Sequence, residues 1–199
     1  MSEINKRLTY GFYVLLVLTG IYDFTVNGGE KFLRIILIFV TLIGLQIVYK
    51  RSLLKKSSVI YKVILGFIFI SMYLANVWNF YGIEHYDKFL HLLSGGILGF
   101  IGLAFYMYMF NIKEKKEIDI KKLIIFILMF LVSIAGLWEI WEFTTDSLFG
   151  LMAQNGLEDT MWDIILGTVG GIIVLIPIIN YSKGKRVPLI EEFLKDVNE

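Results

Sequence analysis

The chain has 199 residues, 57% of them hydrophobic and 19% charged, with no cysteine and a formal net charge of +1. A soluble domain of this size cannot hide so much apolar surface, so lipid is the natural solvent for the excess. Disulfides and thiolate metal sites are excluded outright, and near-neutrality leaves no basic face for nucleic acid.

Six apolar stretches follow in chain order: 8–24, 32–49, 59–80, 89–110, 123–143 and 161–181. Each is close to the roughly 20 residues that cross a hydrocarbon core as a helix. The first follows Lys6 and Arg7 as a signal peptide would, but Tyr22-Asp23-Phe24 offers no small-residue cleavage site, so a retained helix is expected. Backbone groups find no water in lipid, so the spans must be helices; barrel strands would alternate and be half as long. The fold class expected is all-α: a polytopic integral membrane helical bundle of about six transmembrane helices, in a single domain over 1–199.

Basic residues set the orientation. Lys6 and Arg7 precede the first span; Lys50, Arg51, Lys55 and Lys56 join the second and third. Lys113, Lys115, Lys116, Lys121 and Lys122 join the fourth and fifth, and Lys183, Lys185 and Arg186 follow the sixth. The opposite loops hold Lys31 and Lys88. The positive-inside rule then puts both termini in the cytoplasm of a cell whose inner membrane the chain crosses several times. Trp78, Trp138, Trp141 and Trp162 fall near the outer helix ends, as an interfacial aromatic belt would. In the tail (182–199), Leu189, Ile190, Phe193, Leu194 and Val197 share one side of a short helix expected on the inner membrane surface.

Polar residues gather at the outer ends. The third span closes with Asn76 and Asn79, three apart; the fourth opens with Asp87, His91 and Ser94, beside Lys88. The fifth closes with Glu139, Glu142 and Asp146, and the sixth opens with Asp159 and Asp163. Each set has helical spacing, and ionisable groups at membrane depth cost at least about 2.5–3.5 kcal/mol, so they face the interior and find partners. Packed carboxylates cannot all stay ionised without something positive among them. Either some acids hold protons or a cation occupies the site. An oxygen-rich set with one imidazole suits Mg²⁺, Mn²⁺, Ca²⁺ or iron better than a structural zinc. Asp87, His91, Asp159 and Asp163 are the candidate ligands, with Glu139 or Glu142 to activate water. The bland alternative is a hydrogen-bonded network of His91, Lys88 and the acids that locks three helices together; a proton or ion relay is a third reading. Below the polar groups, Gly95 and Gly99 on the fourth span and Gly167, Gly170 and Gly171 on the sixth make small faces that let backbones approach.

Asp87-Lys88-x-x-His91, then Glu139-x-x-Glu142, then Asp159-Thr160-x-x-Asp163 with Gly170 resemble the YjdF-like family of bacterial inner-membrane proteins. More loosely, the same order looks like the VanZ-like family associated with teicoplanin resistance. There Glu142 stands where a glutamine would be, Gly167 where an asparagine would be, and an arginine is missing, so the YjdF-like likeness is the better one. It spans Asp87 to Gly171 and implies the architecture rather than an activity.

Three functions remain open to such a chain. The first is a metal-dependent enzyme acting on a lipid or lipid-linked envelope substrate, with Asp87, His91 and Asp163 holding the metal. The second is a non-catalytic factor that binds a lipid, glycopeptide or protein partner, with no cofactor. The third is an ion- or proton-coupled transporter, which the absence of charged stepping stones below the cluster disfavours.

Overall fold

The computed structural model describes residues 2–52, 54–55, 57–149 and 154–198, the side chains of 149, 189 and 195–198 excepted. Six helices are long and apolar enough to cross a membrane, and no strand occurs among the described residues. α1 is Glu3–Val26, α2 Phe32–Arg51, and α3 Ser58–Ile68, which continues as π-helical turns over Phe69–Val77. α4 is Tyr86–Met109, α5 Ile120–Phe149, α6 Leu157–Ser182 and α7 Pro188–Asn198. The chain parts into two compact units: one holds α1–α3 with the end of α7 from Phe193, the other His85–Glu192.

In the first unit, α1 starts five residues before the purely apolar run because its N-terminal turn is secured by polar groups. Ser2 caps it, accepting from the Asn5 amide at 3.2 Å, and Asn5 itself is fully buried, its Oδ1 accepting from the Ser58 hydroxyl at 3.2 Å. Thr9 and Thr19 each donate to the carbonyl four residues back, which leaves their oxygens to accept from Tyr61 and Tyr73 at 2.7 and 2.8 Å. These pairs pin α1 along the α3 helix and its π-helical extension, where van der Waals packing alone has no hydrophobic driving force behind it.

Asp23 and Asn27 shape the turn that follows α1. The Asp23 carboxylate is buried, accepting from the Lys31 amide at 2.9 Å and the Asn27 side chain at 3.2 Å, across the left-handed Gly28 and Gly29. The π-helical end of α3 leaves carbonyls unsatisfied, and two cations close them: Arg34 donates to the Asn76 carbonyl at 2.8 Å and Lys31 to that of Val77 at 2.5 Å.

The second unit is built on the contact between α4 and α6. A Cβ on Gly95 would run into the Gly167 carbonyl, and one on Gly170 into the carbonyl of Leu92, so the two backbones touch with nothing between them. α5 closes the bundle by laying Leu131 on Gly171 and Phe130 on Gly102. Small residues make that approach feasible, and hence fix the depth at which the polar side chains above it meet.

In the tail, Ile190, Phe193 and Leu194 are 0, 2 and 3% exposed. The side chains of Leu189 and Val197, and Lys56 in its loop, lie outside the described residues.

Candidate functional site: an acidic and histidine cluster on three helices

The second unit collects its ionisable groups at one end of α4, α5 and α6. Asp87 and His91 are four apart on α4, so one helical face presents both, and α6 brings Asp163 opposite them. His91 Nε2 stands 3.8 Å from Asp87 Oδ2 and 3.8 Å from Asp163 Oδ2. One donor atom from each of the three residues falls within 4.8 Å of the other two. That spacing suits ligands around a shared ion better than direct hydrogen bonds, which need about 2.7–3.2 Å.

Burial sharpens the geometry. Asp163 is 2% exposed and its Oδ1 has no hydrogen-bond partner in the protein. Glu139, on α5, is 5% exposed and its Oε1 is likewise without a partner, although Thr160 of α6 lies within reach of the carboxylate. Glu139 is also an electrostatic neighbour of Asp163, His91 and Asp87. Two inward acids with idle oxygens beside an imidazole are costly in any low-dielectric interior, and buried charges are normally paired or metal-bound.

The remaining candidates divide. Asp159, expected among the ligands, is engaged elsewhere: Lys88 Nζ meets its Oδ1 at 2.9 Å and Asn155 donates to its Oδ2 at 3.2 Å. The pair ties the first turns of α4 and α6 at the rim of the cluster. Glu142 accepts from the Trp138 indole at 2.8 Å and lies beside Glu139. Ser94 donates to the His91 carbonyl at 2.8 Å, which spends its proton on the helix backbone. Asn76 and Asn79 belong to the first unit and do not share a helix face. The π-helical turns end at Val77, and Asn79 adopts a left-handed conformation with φ 58°.

Three contributors were not singled out from the sequence. Thr160 sits inside the Asp159-Thr160-x-x-Asp163 motif, and its placement beside Glu139 follows only from how α5 packs on α6. Asn155 and Gln154 lie in an irregular segment before α6; Gln154 donates to Asp146 from its amide at 2.7 Å and to Thr160 from its side chain at 3.1 Å. Only Asn155–Asp159, at i,i+4, had a spacing that could have marked it.

The family model described as "Predicted membrane protein (DUF2238)" matches residues 4–184. The YjdF-like proteins are this family, and the looser VanZ-like likeness is not shown by the match. No curated protein and no solved structure matches the chain.

Proposed function

The chain belongs to the DUF2238 family of predicted membrane proteins, and from that premise we propose that its α4–α6 cluster is a divalent-cation site. Asp87, His91 and Asp163 are the protein ligands, with Glu139 as the acid beside them. The observation that carries this reading is the pair of nearly inaccessible carboxylates whose Oδ1 and Oε1 have no protein partner, next to three donor atoms spaced for one ion. Three oxygen donors and one imidazole favour Mn²⁺, Mg²⁺, Ca²⁺ or Fe²⁺.

The chemistry best suited to such a site is hydrolysis or group transfer on a lipid or lipid-linked envelope substrate. A bound divalent ion would supply Lewis acidity and a more acidic water. Glu139 is the residue placed to take a proton from that water, and Thr160 orients its carboxylate. The Lys88–Asp159 pair holds the two helix starts together at the rim. The Lys50–Arg51, Lys113–Lys122 and Lys183–Arg186 runs all follow the opposite helix ends, which by the positive-inside rule puts both chain ends in the cytoplasm and the cluster at the extracytoplasmic face of the cell membrane.

Metal analysis of the detergent-purified protein tests the reading, with wild type beside His91→Ala and Asp163→Ala after dialysis against mixed divalent ions. Near-stoichiometric metal in the wild type, lost in both variants, is the expected result. No metal in any of the three, with both variants less thermostable, would leave a charged network that merely holds the helices together.

A further inference from the structure

The ion pairs described above leave over the two acids of α5. Lys88 is taken by Asp159, and His91 stands between Asp87 and Asp163. Glu139 and Glu142 are three apart on α5, one helical turn, and neither pairs with a lysine or arginine among the described residues. Glu142 instead accepts the indole N–H of Trp138, and Trp138 packs against Trp141 with ring centroids 5.2 Å apart and planes at 37°.

Both rings are about half exposed, at 50 and 53%, on a helix long and apolar enough to span the membrane. An interfacial belt explains the depth of the indoles, but not a carboxylate fixed at their edge with a second, buried acid behind it. Carboxylate and exposed indole together are what an organic ammonium needs: a counter-charge for nitrogen and an electron-rich face for its carbon-bound hydrogens. Small hard cations lose more in hydration than an indole face returns, whereas anionic headgroups are repelled by the two acids.

We propose that Glu142, Trp138 and Trp141 bind the ammonium group of a membrane lipid, with Glu139 as the inner acid that deepens the negative potential. The ligand comes from the bilayer because both half-exposed rings stand on a helix long and apolar enough to span it. The site rests on the membrane reading of the chain and requires no metal at Asp87, His91 and Asp163.

The test uses the full chain in detergent with a chelator present, titrated with dihexanoyl phosphatidylethanolamine, dihexanoyl phosphatidylglycerol and free ethanolamine. Tryptophan fluorescence and native mass spectrometry read the binding. The expected result is phosphatidylethanolamine bound about tenfold more tightly than phosphatidylglycerol, with free ethanolamine weaker than the lipid. Glu142→Gln keeps an acceptor for Trp138 and should abolish that preference, as should Trp141→Leu, each at an unchanged elution volume. Equal binding of the two lipids, or a preference intact in both variants, overturns the proposal. Free ethanolamine binding as well as the lipid overturns the bilayer as its source. Metal content is measured separately on Glu142→Gln, where it should equal the wild type, so a failed metal site and a failed ammonium site give different results.

Discussion

Replacing Gly95 by alanine should separate α4 from α6, whereas the same change one residue later should not. The carbon added at Gly95 would overlap the carbonyl oxygen of Gly167 and lie 2.7 Å from its carbonyl carbon and 3.0 Å from its Cα. Ordinary contacts need about 3.2–3.5 Å, so the helices must part by more than about 1 Å, and backbone cannot rotate aside as a side chain would. Overpacking of this kind costs about 1–3 kcal/mol, and a backbone obstacle belongs at the upper end. At Gly96 the added carbon meets Val174 Cγ2 at 3.6 Å and the Gly170 carbonyl at 3.8 Å, both ordinary contacts. There the helix preference for alanine should give a gain of up to about 1 kcal/mol. The two variants should therefore differ by about 3 kcal/mol, or roughly 6–12 °C in apparent midpoint during detergent melts. A 1 Å shift also exceeds the roughly 0.5 Å tolerance of a ligand shell, so Gly95→Ala should lose at least about tenfold in manganese affinity. Equal melting of the two alanine variants would refute the idea that backbone contact sets the site.

Other expectations follow from single contacts. Asp23→Ala should lower stability by about 1–3 kcal/mol, because the Lys31 amide loses its acceptor in a buried turn; Asp23→Asn should restore part of it. Tyr61→Phe removes a buried hydroxyl but leaves Thr9 bonded to Asn5, so a thermal melt should show a loss of only about 0.6–1 kcal/mol. The Asp119 carboxyl, before α5, is held below its usual range by the Lys122 amide, with the Lys122 charge and the Lys121 amide adding to the effect. A depressed folded value means that its contribution is present above about pH 4 and fades as pH falls through the folded value. Acid melts of Asp119→Asn against wild type should show that decline in the wild type only.

The six spans were legible because lipid imposes length and composition on a helix regardless of what packs against it. Asp87, His91 and Asp163 were legible for a related reason: helical spacing puts polar groups on one face, and membrane depth forces that face inward. What spacing does not reveal is the partner. Asp159 and Asp163 have equal claims by periodicity, yet the rotation of α6 against α4 gives the first to Lys88 and buries the second. Asn76 and Asn79 looked like neighbours because an ordinary helix was assumed; widening into π turns and a left-handed Asn79 removed that relation. The start of α1 was hidden because Ser2, Asn5 and Thr9 read as a polar lead-in, and only the Ser58 and Tyr61 hydroxyls make them interior.

The glycine contact between α4 and α6 has a bearing on permeability. Glu139 and Asp163 are the only buried carboxylates among the described residues of their unit. Directly beneath them the two backbones close on each other, and farther down Leu103, Leu131, Leu175 and Ile178 fill the interior with hydrocarbon. That packing leaves no room for a hydrated file through the interior of this unit, so a metal held at the proposed site should exchange from one side only. In sealed proteoliposomes of uniform orientation, a paramagnetic ion added to the wrong side should leave the site untouched until a pore former admits it.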